Sequence, residues 1–379
     1  MTIYKKAVLP LGFKANGFAA GIKRSGKLDL ALIYSGPAAK AASLFTSNKI
    51  QAAPVKISRK HLKENKAFRA VIINSGNANC FTGEAGLKDA RDTAAALSGA
   101  LGVKKAAVLV ASTGIIGRRL PFLKIKDSIP DLIKGLSTSG IHKAKKAILT
   151  TDTFPKEITA KFKIGGRTIT LCGIAKGSGM IAPDVATMLC FIMTDALITQ
   201  RALRGALKEC ARNSFNCVTV DGCMSTNDTV TLLANGAGKN PLIDTGNKYY
   251  GIFHKVLNSV CLELAKLLVR DAEGATKFIQ IKVEKAKSFN EAKKAALFIA
   301  NSNLFKTAVY GQNPNFGRII AAVGASGIVV SEKGIKVKVS PLARKDVYVT
   351  VTINKGNSSA VVFTSDLTPE YIKINAEYN

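Results

Sequence analysis

Tryptophan is absent from this 379-residue chain, and histidine occurs only at 61, 142 and 254. Single-stranded nucleic-acid grooves rely on aromatic platforms for stacking, so the missing indole argues against one. None of the three histidines falls in a catalytic or ligand pattern, which leaves Ser-His-Asp and zinc chemistry without support. Cysteine is sparse as well: seven residues, at 80, 172, 190, 210, 217, 223 and 261, form no Cys-x-x-Cys pair. They read as buried thiols of a cytoplasmic protein, with no metal site or disulfide framework implied. No apolar run reaches the ~20 residues of a membrane span; the stretch Ile319 to Val330 comes nearest and is broken by glycines. The start, Met1-Thr-Ile-Tyr-Lys-Lys6, lacks the apolar core and small-residue cleavage site of a signal peptide. The expectation is a cytoplasmic protein with neither membrane partner nor cofactor.

Acidic residues are also few. The chain holds 25 Asp/Glu against 55 Lys/Arg, a formal net charge of +30. Such an excess can mark a nucleic-acid partner, but the lysines are scattered and the densest run, His142-Lys-Ala-Lys-Lys146, is short. A solvated lysine-rich surface accounts for the charge, and its positive field would favour an acidic small-molecule substrate. With 47% apolar residues and a mean hydropathy of +0.15, the composition is that of a well-buried globular enzyme.

What the chain does contain is an alternation of strand and helix signals, hence an α/β protein. Ala70 to Asn74 and Ala106 to Val110 read as short buried strands running into glycine-bearing loops. Ala85 to Leu101, Asp195 to Asn213 and Tyr250 to Val269 carry apolar residues at helical spacing. Ser288-Phe-Asn-Glu291 has the form of a capping box opening another helix. The stretches 277–283, 334–340, 346–353 and 359–364 alternate as strands. A lysine- and proline-bearing zone around 118–156 marks the boundary expected within the first half.

One segment points to chemistry: Lys176-Gly-Ser-Gly-Met-Ile-Ala-Pro-Asp-Val-Ala-Thr187-Met-Leu189. A glycine-rich loop, a proline and a small alanine lead into a threonine that opens an apolar run. That layout suits a chain cut between Ala186 and Thr187. A threonine alone is a weak nucleophile, but one with a free α-amine carries its own general base. The amine's unperturbed pKa, about 7.7–8.0, lies close to the operating pH that base catalysis favours.

Further blocks run the length of the chain: Phe45-Thr-Ser-Asn-Lys-Ile-Gln-Ala-Ala-Pro54, Asn74-Ser-Gly-Asn-Ala-Asn79, Ala111-Ser-Thr-Gly-Ile-Ile-Gly117 and Thr150-Thr-Asp-Thr-Phe-Pro-Lys156. After the cut come Val220-Asp-Gly-Cys-Met-Ser-Thr-Asn-Asp228, Glu273-Gly-Ala-Thr-Lys277, Asn313-Pro-Asn-Phe-Gly-Arg318 and Tyr371-Ile-Lys-Ile-Asn-Ala-Glu-Tyr378. In this order they resemble the ornithine acetyltransferase family, glutamate N-acetyltransferases of arginine biosynthesis. Two blocks depart from the family's usual form: Phe316 replaces a tryptophan beside Asn313, where an aspartate is usual, and Cys223-Met224 replaces a more polar pair. Neither touches the residues assigned below.

The resemblance implies a layered α-β sandwich, self-cleaved into two interleaved chains: residues 1–186, carrying the oxyanion hole, and 187–379, carrying the nucleophile. It implies that Thr187 attacks the Ala186 carbonyl, and afterwards the acetyl carbonyl of N-acetylornithine, before glutamate takes the acetyl group. Thr113 and Gly114 would form the oxyanion hole. Thr153, Lys176, Glu273 and Asn375 match substrate-binding positions, Lys176 as a partner for a carboxylate and Glu273 for an ammonium group. Acetyl-CoA is a further donor to consider, and an α2β2 assembly of the two fragments is expected. The alternatives at this level are a β-aminopeptidase-like hydrolase, in which water takes the acyl group, and a basic nucleic-acid-binding protein.

Overall fold

The computed structural model describes residues 1–182 and 188–377, so the expected cleavage bond Ala186–Thr187 lies outside the described residues. The chain divides into two compact units, each drawing on segments from both sides of that bond: 1–177, 187–214 and 225–264 in the first, and 178–186, 215–224 and 265–379 in the second.

The first unit holds, in chain order, strands β1 (Thr2–Tyr4), β2 (Phe13–Phe18) and β3 (Leu30–Phe45), helix α1 (Ala53–Glu64), β4 (Phe68–Asn77), α2 (Gly83–Leu101) and β5 (Val108–Ile115). Then follow α3 (Phe122–Lys134), α4 (Ile141–Ala147), β6 (Lys156–Ile164), β7 (Arg167–Lys176), β8 (Leu189–Thr194), α5 (Gln200–Arg212), β9 (Thr229–Ala234) and α6 (Lys248–Arg270), whose last turns from Ala265 count with the second unit. The strand order is β1-β6-β7-β8-β9-β3-β4-β5, with β2 also on β3.

The long β3 makes the layering. Its first part, Leu30 to Ala39, pairs with β2 and β4, while Lys40 to Phe45 pairs with β9, and the register shifts between Tyr34 and Ala39. A strand that bends in this way passes from one sheet to another and turns a corner between them. Side chains alternate across the pleat, so each sheet buries two faces. Ile33, Val71, Ile73, Leu109 and Ala111 meet Ile174, Leu189, Phe191, Met193 and Leu233 in one core, joined by α4. The opposite parity, Leu30, Leu32, Ile72, Val108 and Val110, packs on α1, α2 and α3 through Ile57, Ala94, Leu97, Ile125 and Ile129.

No boundary falls in the 118–156 zone, contrary to the sequence reading. Residues 1–177 stay in one unit, because α3 buries Ile125, Ile129 and Leu132 on α2 and the sheet, and α4 sits in the core. The edge of β5 is covered by α1: the Ser58 hydroxyl donates to Val110 O (2.7 Å) and accepts from Val110 N (2.9 Å). His61, 3% exposed, engages Val108 O through Nδ1. Its role is to cover an edge.

The second unit is a four-stranded sheet of β10 (Phe278–Ala286), β11 (Lys336–Val339), β12 (Asp346–Thr352) and β13 (Ser358–Ser365), in the order β11-β12-β10-β13. Helices α7 (Phe289–Ala300), α8 (Asn303–Tyr310) and α9 (Phe316–Ala325) join its apolar face in one core, and α10 (Pro369–Glu377) ends the described chain. The cap read at Ser288 is present: its hydroxyl accepts from Glu291 N at 3.2 Å.

Candidate active site

Two parallel strands bring the first pair of expected residues to one strand end. β4 and β5 run together with Ser75 opposite Thr113 and Gly76 opposite Gly114, where the register becomes irregular. Gly114 has φ +133°, and a Cβ there would lie 2.4 Å from the Gly76 carbonyl carbon and 2.5 Å from Asn77 N. Only glycine fits that approach and that dihedral. The strand end is fixed by asparagines. Ser112 donates to Asn74 Oδ1 at 2.5 Å, Asn77 Nδ2 holds Arg118 O and Arg119 O, and Asn227 Nδ2 donates to Ala78 O (2.7 Å) and Ser112 O (2.8 Å). The bonds made by Ser112 and Asn227 are buried, where an unmet hydrogen bond costs most.

β7 delivers Lys176 to the same place. The side chain is 4% exposed, and its Nζ donates to Thr113 Oγ1 at 3.3 Å. Lys176 lies opposite Leu189 in the antiparallel β7–β8 pair, so β8, beginning two residues after Thr187, starts beside it. The next residue, Gly177 (φ +150°), donates its N–H to Asp152 Oδ1 at 2.7 Å.

Asp152 also accepts from Lys156 Nζ and from Thr150 N (3.0 Å), and the Asp152 and Lys156 side chains are fully buried. Burial alone would raise the Asp152 carboxyl, but the charges of Lys176 and Lys156 outweigh it and hold the group well below the usual carboxylate range. Lys23 adds a third cation nearby, its ammonium on Leu28 O and Leu149 O. Burial, opposed by Asp29, brings it down to about 8.

Asp228 closes this part of the site. It is 1% exposed and accepts Met188 N on Oδ1 at 3.1 Å. Burial pushes its carboxyl well above the usual range, against the pull of the Met188 N–H and Lys176. Thr153, one residue from Asp152, is exposed.

In the second unit, Glu273 and Asn375 are brought together: Asn375 Nδ2 donates to Glu273 Oε2 at 2.9 Å. Glu273 N donates to Ser178 O (3.0 Å), and a Cβ on Gly179 would stand 2.2 Å from the Glu273 carboxylate. Asp221 secures the same loop, taking Met180 N (2.6 Å), Ile181 N (2.9 Å) and the Tyr371 hydroxyl (3.2 Å). Buried Lys306 donates to Val220 O and to Thr364 Oγ1 (3.3 Å).

Of the expected residues, then, Thr113, Gly114 and Lys176 converge in one unit and Glu273 with Asn375 in the other, while Thr187 lies outside the described residues. Sequence reasoning missed Asp152, Lys156, Asn227, Asp228 and Lys23. The first four stand in the quoted blocks Thr150–Lys156 and Val220–Asp228, but only folding shows that their side chains are buried and that Asp152 and Lys156 form an ion pair. Lys23 lies in no block.

Stacked sheets between helical layers, with glycine-bearing strand ends around a buried cationic cluster, define an α/β enzyme of the ornithine acetyltransferase type. The ArgJ family model matches residues 14–343. The arginine biosynthesis bifunctional protein ArgJ of Geobacter sulfurreducens is 43% identical over 388 residues, covering 97% of this chain and 98% of its own. That of Dehalococcoides mccartyi is 44% identical over 391 residues, with 97% and 96% covered. A crystal structure of ArgJ from Bacillus halodurans is 37% identical, covers 48% of this chain and 97% of its own, and has a TM-score of 0.46. The chain belongs to the ArgJ family, and is an acetyltransferase of arginine biosynthesis. Among the described residues no helix is long and apolar enough to cross a membrane.

Proposed function

We propose that the chain cleaves itself between Ala186 and Thr187 and then moves the acetyl group of N2-acetyl-L-ornithine to L-glutamate. The Thr187 hydroxyl attacks the acetyl carbonyl while the α-amine of the same residue takes its proton. That proton passes to the departing ornithine amine, which leaves an acetyl ester on Thr187. Glutamate's amine then attacks the ester, and the threonine is regenerated. Covalent catalysis of this kind replaces one hard step by two easier ones.

The observation that carries the reading is the Lys176–Thr113 contact at 3.3 Å beside the start of β8. A hydroxyl next to a cation, with the Gly114 backbone following it, is a donor set suited to an oxyanion. Thr153, Lys176, Glu273 and Asn375 are assigned to substrate, Lys176 to a carboxylate and Glu273 to an ammonium. Family membership favours transfer over hydrolysis as the fate of the acyl group. The relatives' name, bifunctional, supports adding acetyl-CoA as a second donor. We further assign the fragments 1–186 and 187–379 to an α2β2 assembly in the cytoplasm.

The decisive test is the intact mass of active protein under denaturing conditions. Two fragments of 186 and 193 residues are expected, the second beginning at Thr187. Thr187→Ala should abolish both cleavage and turnover. With N-acetylornithine alone, the second fragment should gain one acetyl group, which glutamate removes. A single intact chain in an active preparation, or the absence of an acetyl adduct, rules the mechanism out.

A further inference from the structure

Lys23 is used by none of the steps above, although it stands beside residues that are. Asp29 sets the turn that carries it, accepting from Ala20 N (2.7 Å), Ile22 N (2.6 Å) and Lys23 N (2.9 Å). The stem of Lys23 then crosses the end of β4. A Cβ on Gly76, at φ +98°, would stand 2.9 Å from Lys23 Cγ, and Gly76 is the residue opposite Gly114. The ammonium donates to Leu28 O (2.9 Å) and Leu149 O (2.7 Å). The next peptide N–H after Leu149, that of Thr150, is held by the Asp152 carboxylate at 3.0 Å. The side chain thus bridges the strand end at Gly76 and the Asp152 turn.

The charges here do not balance. Asp152 attracts Lys23 as well as Lys156 and Lys176, while Lys176 and Lys27 repel Lys23. Asp29 attracts it too, but its oxygens are taken by the three backbone N–H groups. Three lysines therefore meet one available carboxylate, and that carboxylate is ion-paired to Lys156. The partners of the Lys23 ammonium among the described residues are the two carbonyls alone. An ammonium has three donors, so one remains. A half-buried cation without a paired anion is costly, and a bound anion offsets that cost.

A ligand with two carboxylates answers this excess. The two amino acids exchanged in the reaction differ at that point. Both carry an α-carboxylate, but the side chain of ornithine ends in an ammonium and that of glutamate in a second carboxylate. Lys176 is already assigned to one carboxylate. We propose that Lys23 is a specificity-determining residue whose remaining N–H binds the second carboxylate of glutamate, which selects this acceptor over amino acids with a neutral or cationic end. The assignment deepens the transfer to glutamate proposed above and rests on it. A site built to bond a substrate group rejects the analogue that lacks it, because its own polar group is then left unmatched.

The test compares glutamate with glutamine, which keeps the carbon frame and lacks the second charge, on fully processed enzyme. Lys23→Met keeps a stem against Gly76 and removes the ammonium. The KM for glutamate should rise by about ten- to a hundredfold, the scale of one lost charge-assisted hydrogen bond. The loss with glutamine should be at least about tenfold smaller, and Lys23→Arg should restore part of the preference. An equal loss with both acceptors, or an unchanged KM for glutamate, overturns the assignment. If Lys23→Met does not fold, the wild type is measured between pH 7 and pH 9. Burial brings Lys23 down to about 8, so its charge is lost across that range while both carboxylates of glutamate keep theirs. The ratio of kcat/KM for glutamate to that for glutamine should then fall by about tenfold, since kcat/KM reports groups of the free enzyme. A constant ratio overturns the assignment. A wild type that transfers no acetyl group to glutamate removes the proposed function and this assignment together. Transfer with an unmoved preference removes this assignment alone.

Discussion

Lys176 Nζ donates to Thr113 Oγ1 across 3.3 Å, with both side chains at or below 9% exposure. The lysine occupies one lone pair of the hydroxyl, so the hydroxyl's own proton is turned elsewhere. A cation behind a donor also strengthens that donor, because charge-assisted hydrogen bonds outweigh neutral ones. Thr113→Ala should therefore lower kcat by ~10²–10³, the usual scale for one lost oxyanion donor. KM should change little, since the charge it meets develops only in the transition state. Steady-state kinetics on fully processed enzyme decide this; a change in KM alone would make Thr113 a binding residue.

Lys176→Met should act on both constants. If the lysine only held a substrate carboxylate, KM alone would rise. Because it also polarises Thr113, kcat should fall too, though less than in Thr113→Ala. The double variant is the check: coupling between contacting residues makes its effect smaller than the product of the two single effects. Strict additivity would separate the two side chains functionally.

Gly114→Ala should be damaging without altering any charge. The added methyl would lie 2.4 Å from the Gly76 carbonyl carbon, at a φ of +133°, so backbone must move. Since β4 and β5 are locked there by asparagines, the expected result is a loss of activity at least as large as that of Thr113→Ala, with a lowered Tm. Wild-type kinetics and Tm in this variant would show the strand end to be more plastic than the packing implies.

Asp152 predicts an acid-side instability. Its folded pKa is held below the unfolded value by Lys176 and Lys156, so its contribution is fully present above about pH 4. It is lost as pH falls below that towards the folded value. Asp152→Ala removes the carboxylate from an ion pair with Lys156 whose two side chains are fully buried, and breaking a buried pair in this way costs about 3–5 kcal/mol. Chemical denaturation at pH 7 and pH 4 should show a large deficit in the variant at both, while the wild type weakens further below pH 4. A variant within 1 kcal/mol of wild type, taken as roughly the scale of an exposed ion pair, would contradict the burial argument.

Lys306 predicts the opposite limb. Burial, opposed by Asp221 and Asp366, brings its ammonium down to about 8. A lysine whose folded pKa is depressed makes the folded state bind fewer protons than the unfolded one between the two values. Stability from this group therefore rises from about pH 8 to about pH 10.4. Lys306→Met should flatten that rise in pH-dependent unfolding. An identical alkaline slope in wild type and variant would mean that the lysine is not desolvated as found.

The sequence alone determined the class and the chemistry worth looking for. Glycines at 114, 177 and 179 read as tight or close-packed backbone, because few other residues tolerate such places, and the motif order named the family. Helices such as α2 and α5 and the cap at Ser288 were legible from local periodicity and capping chemistry, which need no distant contact. Tertiary structure decided what depends on distant neighbours. Asp152 and Lys156 read as an ordinary polar turn until both are seen at zero exposure, and Asp228 as the end of a loop until Met188 is found on its carboxylate. The expected boundary near 118–156 failed for the same reason: lysines and a proline suggest a linker, but the buried stripe of α3 and the core position of α4 are set by the sheets they pack on. Burial and charge pairing arise between segments far apart in the chain, so they become visible only when the fold brings those segments together.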